Sequence, residues 1–375
     1  MQRLPADSLR LIRGELPSAA DVHEVARVVR QRQPRLSGAD LVAAVHEVIA
    51  DVAGLGPLRD AVALPGVTDV LVSSASDVWV DRAGALERWP VKWPDEESLR
   101  AFAVRLATAA GARLDQLHPY ADFLLPGGLR AHVVLPPLAA ATSIAVRVPR
   151  PAHGLSLSDL LAGQPTQLIQ VLDQIVQQRL SYLISGGTGS GKTTLLAAML
   201  SAVPADQRLV LVEDTAELGA VHPHCVHLRA RPASSEGVGE VTLRTMVRQA
   251  MRMRPDRLVL GEVRGAEVLD LLAAMNTGHE GAGATIHANS AERVPHRVRS
   301  LGLLAGVPGE AIDAQFATAV QVVIHLARVG AVRKVVQVAV VIPADGTVLP
   351  ALTLAGDDLT VGQGWRHLNE WLDRK

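Results

Sequence analysis

The residues with the most specific chemistry form the run GGTGSGKTT at 186–194, which fits the pattern G-x-x-x-x-G-K-[ST]. An apolar run that ends at Ile184 precedes it and the helical run LLAAMLSAV follows it, so the strand–loop–helix context is present. Glycines let backbone N–H groups turn inward around phosphate oxygens, and a helix N-terminus adds the positive end of its dipole. Lys192 is one of only four lysines among 37 basic residues, which makes a chance match improbable. The run therefore predicts a nucleoside triphosphate site.

The expected ligands of this loop are ATP and Mg²⁺. Lys192 is predicted to reach the β- and γ-phosphates, and the Thr193 hydroxyl to complete the Mg²⁺ shell. The other loop residues are predicted to bind phosphate as well: Gly186, Gly187, Thr188, Gly189, Ser190, Gly191 and Thr194.

A nucleotide-hydrolysing site also needs carboxylates that hold Mg²⁺ and orient the attacking water. The segment LVLVEDTAEL at 209–218 places three acids after one predicted strand. From it we expect the metal ligands Glu213 and Asp214, with Glu213 and Glu217 as catalytic acids.

A second acidic segment, PDRLVLGEVRGAE at 255–267, follows another predicted strand. Gly261 occupies the position where a usual Walker B strand carries aspartate. Glu262 is then the natural carboxylate to orient water, and we predict that it is catalytic. Glu267 fits a solvated loop acid better than Glu262 does.

Two histidines come with small residues between them in TGHEGAGATIHANS at 277–290. A histidine that ends a core strand is usually a packed or capped side chain. The residues alone therefore leave both a structural and a functional role open for His279 and His287.

The elements that must position these residues follow from apolar periodicity and turn residues. The first fifty residues predict two helices, since apolar residues recur at helical spacing from Val22 and again from Leu41. Extended segments and one amphipathic helix follow. We therefore expect a helical segment over 1–54 and an α+β domain over 55–150, with RPAHG at 150–154 as the linker.

Apolar strands alternate with helical runs over 155–375. Continuously apolar strands are expected where helices cover both faces of a sheet. The tail from Gly330 is predicted to add a β layer with an Asp-Gly turn at 345–346.

Composition excludes several classes of protein. With 48% hydrophobic and 20% charged residues the chain can bury a core, and its net charge of −1 gives no strong nucleic-acid signal. Cys225 is the only cysteine, which excludes a disulfide framework and a multi-cysteine zinc site. Neither a signal peptide nor a transmembrane stretch is recognisable. We expect a cytoplasmic protein that associates peripherally with the cytoplasmic membrane through partner proteins.

Four motifs together resemble one family. GGTGSGKTT, EDTAEL, MRMRPDRLVLGEVRGAE and NTGHEGAGATIHANS stand in the order of the phosphate loop, Asp box, Walker B segment and His box of the secretion-superfamily (type II/IV secretion) ATPases. The detail is most similar to the tight-adherence pilus assembly ATPases and the related type IV secretion traffic ATPases, over about Leu55 to Arg333. The four-cysteine zinc module of many type II secretion and type IV pilus extension ATPases is absent, which points away from that branch.

The resemblance implies an α/β fold with a RecA-like P-loop NTPase domain after the smaller α+β domain, a homo-hexamer, and ATP bound between the two domains. It implies that His287 senses the γ-phosphate and that His279 contributes to the nucleotide site. It also implies that arginines of the first domain supply cations to the nucleotide, at Arg113, Arg130 and Arg147.

Arg264, directly after Glu262, is expected to serve phosphate sensing or subunit contacts. The function that the resemblance implies is a motor ATPase for a tight-adherence type pilus or for secretion, working with inner-membrane platform proteins. The alternative is a traffic ATPase for conjugation or type IV secretion of DNA or protein. A non-hydrolysing nucleotide-gated scaffold and a RecA-fold helicase are further alternatives.

Overall fold

The structure, a computed structural model, describes residues 4, 6–16, 22–34, 36, 38–52, 54–82, 84–148, 155–214, 218, 222–231, 239–329 and 332–373. The chain separates into two compact units, Met1–Arg150 and Pro151–Lys375. The linker expected at 150–154 lies outside the described residues. None of the described helices is long and apolar enough to span a membrane.

The first unit combines helices with one antiparallel sheet. Its helices are α1 (Ala6–Glu15), α2 (Val22–Arg32), α3 (Gly38–Val52), α4 (Arg59–Val62) and α5 (Glu96–Ala109). Its strands are β1 (Val67–Ser74), β2 (Asp77–Arg82), β3 (Ala85–Arg88), β4 (Tyr120–Leu125), β5 (Leu129–Val134) and β6 (Ser143–Arg147). The sheet order is β3-β2-β1-β6-β5-β4, and every neighbouring pair is antiparallel.

The helices of the first fifty residues differ from the prediction in number. The described residues form three helices where two were expected, and α1 is the additional one. This helix buries Leu9 and Ile12, and so short an apolar stripe gives little periodicity to detect. All three helices contribute to the same core as the sheet.

The second unit contains more helices and strands than the first among the described residues. Its helices are α6 (Leu157–Leu160), α7 (Thr166–Gln177), α8 (Lys192–Ser201), α9 (Leu243–Met251), α10 (Glu267–Met275), α11 (Val294–Leu304), α12 (Gly309–Ala319) and α13 (Trp365–Leu372). Its strands are β7 (Tyr182–Gly186), β8 (Leu209–Glu213), β9 (Cys225–Arg229), β10 (Arg257–Val263), β11 (Gly283–Ile286), β12 (Val322–Val329), β13 (Val332–Val341), β14 (Val348–Ala355) and β15 (Asp358–Val361).

These nine strands form one sheet in the order β15-β14-β13-β12-β7-β11-β10-β8-β9. The six strands from β12 to β9 are parallel. The last three strands continue the sheet antiparallel from β12. The tail therefore extends the existing sheet rather than forming a separate layer, because β13 pairs along the whole of β12.

The central parallel strands β7, β8 and β11 are buried on both faces. In β8, Leu209 and Leu211 belong to one hydrophobic cluster, and Val210 and Val212 belong to another. Successive side chains of a strand point to opposite faces, so each face has its own apolar cover. The carboxyl ends of β7, β8, β10 and β11 lie at one edge of the sheet, where Glu213 and Glu262 end or nearly end their strands and His287 follows β11.

Candidate nucleotide-binding site

The predicted phosphate loop connects β7 to α8. Gly186, Gly189 and Gly191 have φ angles of 154°, 69° and 96°, which L side chains rarely adopt. At Gly186 an added Cβ would also lie 2.6 Å from both the Leu326 carbonyl oxygen and the Ser190 Oγ. The loop conformation therefore depends on glycine at these positions.

Lys192 is buried at the start of α8, with 7% of its surface exposed. Its Nζ donates hydrogen bonds to the carbonyl oxygens of Gly186 at 3.0 Å and Gly187 at 2.9 Å. Beside it, the buried Ser190 Oγ has no hydrogen-bond partner among the described residues. The buried ammonium of Lys192 and the Ser190 hydroxyl, which has no partner among the described residues, suit phosphate oxygens as ligands.

Lys192 begins a series of contacts that crosses the ends of neighbouring strands. Its Nζ lies 3.5 Å from Nε2 of His287, which follows β11. The same Nε2 lies 2.7 Å from Oε1 of Glu262, on β10. The structure thus brings the predicted phosphate-binding lysine, the predicted γ-phosphate sensor and the predicted water-orienting acid together.

The contacts continue from Glu262 to the end of β8. Arg264 Nε donates to Glu262 Oε2 at 2.6 Å, and Arg264 Nη1 lies 3.7 Å from Asp214 Oδ2. Half of the Arg264 side chain and half of the Asp214 side chain are exposed. Five of the predicted site residues therefore form one continuous series over four adjacent strands.

The protonation state of His287 follows from its surroundings. Burial lowers its pKa from the ordinary 6.5, the Lys192 ammonium lowers it further, and the Glu262 carboxylate opposes both. The imidazole is therefore neutral at pH 7. A neutral ring carries one N–H donor and one acceptor.

Glu213 lies deeper than Asp214, with 2% of its surface exposed. The Leu218 N–H donates to its Oε1 at 2.7 Å, and its Oε2 lies 3.5 Å from His227 Nδ1. Hydrogen bonds with Cys225 and then with Glu213 raise the pKa of His227 to about 9. The Glu213 carboxylate thus contacts groups inside the protein.

The structure describes two oxygen donors that suit Mg²⁺. Thr193 carries a hydroxyl on the first turn of α8, and Asp214 presents a half-exposed carboxylate at the end of β8. Hydroxyl, carboxylate and phosphate oxygens are the hard ligands that Mg²⁺ prefers. Glu217, the remaining acid predicted in this segment, lies outside the described residues.

Glu267 differs from the expectation of a solvated loop acid. It is buried, with 7% exposed, and its Oε1 accepts the backbone N–H groups of Arg264 and Gly265 at 2.6 and 2.7 Å. Its role is to fix the turn between β10 and α10. The sequence does not show that the turn folds back so that Glu267 accepts hydrogen bonds from its own backbone.

Four further predicted residues have contacts of their own, each within its own unit. His279 Nδ1 lies 3.2 Å from the Ala274 carbonyl oxygen, at the end of α10. In the first unit, Arg113 Nε donates to Asp115 at 2.6 Å. Arg130 and Arg147 are direct partners across the β5–β6 pair, and their role toward the nucleotide stays a prediction.

A cleft of about 280 Å³ opens beside the phosphate loop. Arg293 and Arg297, which sequence reasoning missed, line it together with Asn289, His287 and Gly186. The only sequence signal for the two arginines is their spacing of four residues, about one helical turn.

Comparison with known proteins gives a family match over most of the chain. A family model described as type II/IV secretion system protein matches residues 51–344. A Mycobacterium tuberculosis protein named "Putative conjugal transfer protein" is 48% identical over 323 residues, which cover 84% of this chain and 92% of that protein. The type IV secretion system protein VirB11 of Brucella suis is 30% identical over 303 residues, covering 72% of this chain and 84% of that protein.

A solved structure adds a comparison of fold. The crystal structure of the pilus retraction motor PilT with bound ADP has a TM-score of 0.52 and 22% identity, and the match covers 75% of this chain and 80% of that one. Together with the two sheets, it confirms the predicted fold class: an α/β protein with a RecA-like P-loop NTPase domain and a smaller α+β domain before it.

Proposed function

The chain belongs to the type II/IV secretion system protein family, and from this premise we propose that it is an ATPase that powers transport of macromolecules across the cytoplasmic membrane. The observation that carries the proposal is the series of contacts from Lys192 through His287 and Glu262 to Arg264. It joins a phosphate-binding cation to a carboxylate that can orient water, and a neutral imidazole lies between them.

The proposed mechanism begins with the Lys192 ammonium, which leaves the loop carbonyls for the β- and γ-phosphates of ATP. His287 donates its N–H to the γ-phosphate, and Glu262 accepts a hydrogen bond from water. The water oxygen bonds to the γ-phosphorus as the bond to the bridging oxygen breaks. ADP keeps the bridging oxygen, orthophosphate keeps the water oxygen, and the proton leaves through Glu262.

Mg²⁺, held by Thr193 and Asp214, would neutralise phosphate charge while these residues act. Arg264 is suited to sense hydrolysis, because its guanidinium already contacts Glu262 and can turn to a phosphate oxygen. Glu213 supports the end of β8 from inside. Glu217 and His279 remain proposed contributors.

The transported cargo is proposed from the relatives. The two relatives named above are a conjugal transfer protein and a type IV secretion protein, which supports transfer of DNA or protein by such a system over the tight-adherence pilus that the motif detail favours. The pilus remains the second candidate. In either case we propose a homo-hexamer in the cytoplasm that meets the membrane through inner-membrane platform proteins.

Phosphate release from ATP by the purified full chain tests the enzymatic part of the proposal. Lys192→Ala should abolish turnover, and Glu262→Gln should bind nucleotide but lose turnover at least about 100-fold, because it removes the group that orients water. Glu310→Gln, an exposed acid on α12, is the matched control. Ready turnover by Glu262→Gln would contradict the catalytic assignment, and no turnover by the wild type would favour a nucleotide-gated scaffold.

Co-purification tests the transport part. The chain carrying an affinity tag should bring down membrane subunits of a transfer channel, and recovery of pilus platform proteins instead would favour the second candidate. Turnover that single-stranded DNA stimulates in the absence of any membrane partner would favour a helicase.

A further inference from the structure

Two arginines that the proposed mechanism does not use lie beside the phosphate loop. Arg293 precedes α11 and Arg297 lies one turn into it. Both line the cleft of about 280 Å³, which they share with Asn289, His287 and the loop residues Gly186 and Gly187.

The charge of this cleft favours an anion. No described residue that lines it is acidic, and among the described residues neither Arg293 nor Arg297 has a carboxylate at ion-pair distance. By contrast, Arg299 on the same helix pairs with Asp313. Because guanidinium groups stay protonated in proteins, the cleft carries two positive charges with no acid in its lining. The Arg297 charge also reaches the imidazole of His287, whose pKa it helps to lower after burial and Lys192.

The position of the cleft relative to Glu262 indicates which anion arrives there. His287 contacts Glu262 on one side and lines the cleft on the other. In the proposed mechanism, water oriented by Glu262 attacks the γ-phosphorus from the side of His287, and the phosphorus moves toward the attacking oxygen as the bond to ADP breaks. Orthophosphate therefore forms at the mouth of the cleft. Since a water molecule takes up about 30 Å³ in the liquid, a cleft of this volume easily holds a five-atom anion.

We infer that Arg293 and Arg297, with Asn289, form a holding site for the orthophosphate that hydrolysis releases, so that product leaves through this cleft. The inference rests on the proposed ATPase function and adds a product site to it. Two guanidinium groups offer paired N–H donors that match phosphate oxygens, and the Asn289 amide adds a neutral donor. The anion held there is the orthophosphate formed by ATP hydrolysis, with the water oxygen as its fourth oxygen.

The test uses the full chain saturated with ADP and Mg²⁺, with radiolabelled orthophosphate as the probe in equilibrium dialysis. Arg293→Gln, Arg297→Gln and the double variant are compared with Arg299→Gln, which removes one charge from the same helix outside the cleft. We expect the double variant to raise the orthophosphate dissociation constant at least about tenfold, with the ADP dissociation constant within about twofold of wild type. Inhibition of ATP turnover by added orthophosphate should weaken in parallel.

The other outcomes would overturn either the inference or the proposed function. Orthophosphate binding by the double variant equal to that of wild type, or no binding to the wild-type ADP complex, would remove the site. A parallel loss of ADP affinity would assign the arginines to nucleotide binding instead. Wild-type protein that binds orthophosphate but never hydrolyses ATP would contradict the proposed function alone, whereas turnover with unchanged orthophosphate inhibition in the variants would contradict this inference alone.

Discussion

Among single residues, Gly261 shows why the acidic strand β10 departs from the usual Walker B pattern. A Cβ at this position would lie 3.1 Å from Glu213 Cγ, and Glu213 ends the neighbouring strand β8. Thr285 on β11 donates its hydroxyl to the Gly261 carbonyl at 2.6 Å, so the backbone there is held from the other side. The buried carboxylate of this layer is thus supplied by β8, and β10 leaves room for it.

This packing predicts the effect of filling the position. Gly261→Ala should lower the free energy of unfolding by about 1–3 kcal/mol through overpacking, and Gly261→Asp by more, because it would bury a second carboxylate beside Glu213. Urea unfolding followed by circular dichroism measures both. Gly187→Ala, where an added Cβ meets nothing within 4 Å, is the control for stability. Wild-type stability of Gly261→Asp would show that Glu213 does not occupy this space.

His287 should make ATP turnover depend on pH. Because its pKa lies below the ordinary 6.5, the ring is neutral at pH 7 and becomes protonated only at lower pH. An imidazolium would repel Lys192 and hold Glu262 as an ion pair, so turnover should fall as the pH drops from 7 to 5.5. Protonation also favours the unfolded chain, so stability should decrease below about pH 6.5.

His287→Gln separates this effect from general acid inactivation. The variant should lose about 10–100-fold of its turnover at pH 7 and show a flatter profile between pH 7 and 5.5. His367→Gln, an exposed histidine on α13, should keep the wild-type profile. A His287→Gln profile as steep as that of the wild type would place the titration elsewhere.

At the scale of elements, the turn from β10 to α10 determines where Glu262 and Arg264 lie. Glu267 accepts two backbone N–H groups of this turn while it begins α10. It is buried, so these amides have no easy access to water. The conformation of the turn therefore depends on the Glu267 carboxylate.

Substitution of Glu267 should affect both stability and turnover. Glu267→Ala leaves the N–H groups of Arg264 and Gly265 without their acceptor, at about 1–3 kcal/mol each, and frees the strand end that carries Glu262. Glu267→Gln keeps an acceptor oxygen and should lose much less. Urea unfolding and steady-state turnover, measured on both variants, test this. Equal losses in the two variants would mean that charge, not hydrogen-bond geometry, holds the turn.

Elements also differ in how far the sequence predicts them. The central strands of the second unit are predictable because they are mostly apolar, and β7 and β8 are buried at every position. The helix α1 is not, because its apolar stripe is short. The sequence names candidate site residues one by one, but it does not give their contacts. Those depend on the strand order β7-β11-β10-β8, which differs from chain order. Arg293 and Arg297 were missed because only the folded chain places them beside the loop.

For the whole molecule, the first unit presents Arg130 and Arg147 side by side on β5 and β6. Arg147 Nε lies 3.2 Å from Asp69 Oδ1, and Arg130 Nη2 lies 3.8 Å from Asp122 Oδ1. Exposed ion pairs of this kind contribute at most about 1 kcal/mol. Both guanidinium groups can therefore exchange a carboxylate for a stronger anion at little cost. Arg113 makes a shorter contact, since its Nε donates to Asp115 Oδ2 at 2.6 Å.

The last prediction follows from this difference and from the proposed role of the first unit. If Arg130 and Arg147 contact the triphosphate but not ADP, the double variant Arg130→Gln/Arg147→Gln should raise the KM for ATP at least about tenfold, with ADP affinity within about twofold of wild type. Steady-state kinetics and ADP titration measure both quantities. Arg88→Gln, whose side chain pairs with Asp77 on the same sheet, is the control. Only a ligand with different affinity for two states can drive motion between them, so a double variant that retained its wild-type KM would leave the first unit without a part in the ATP cycle.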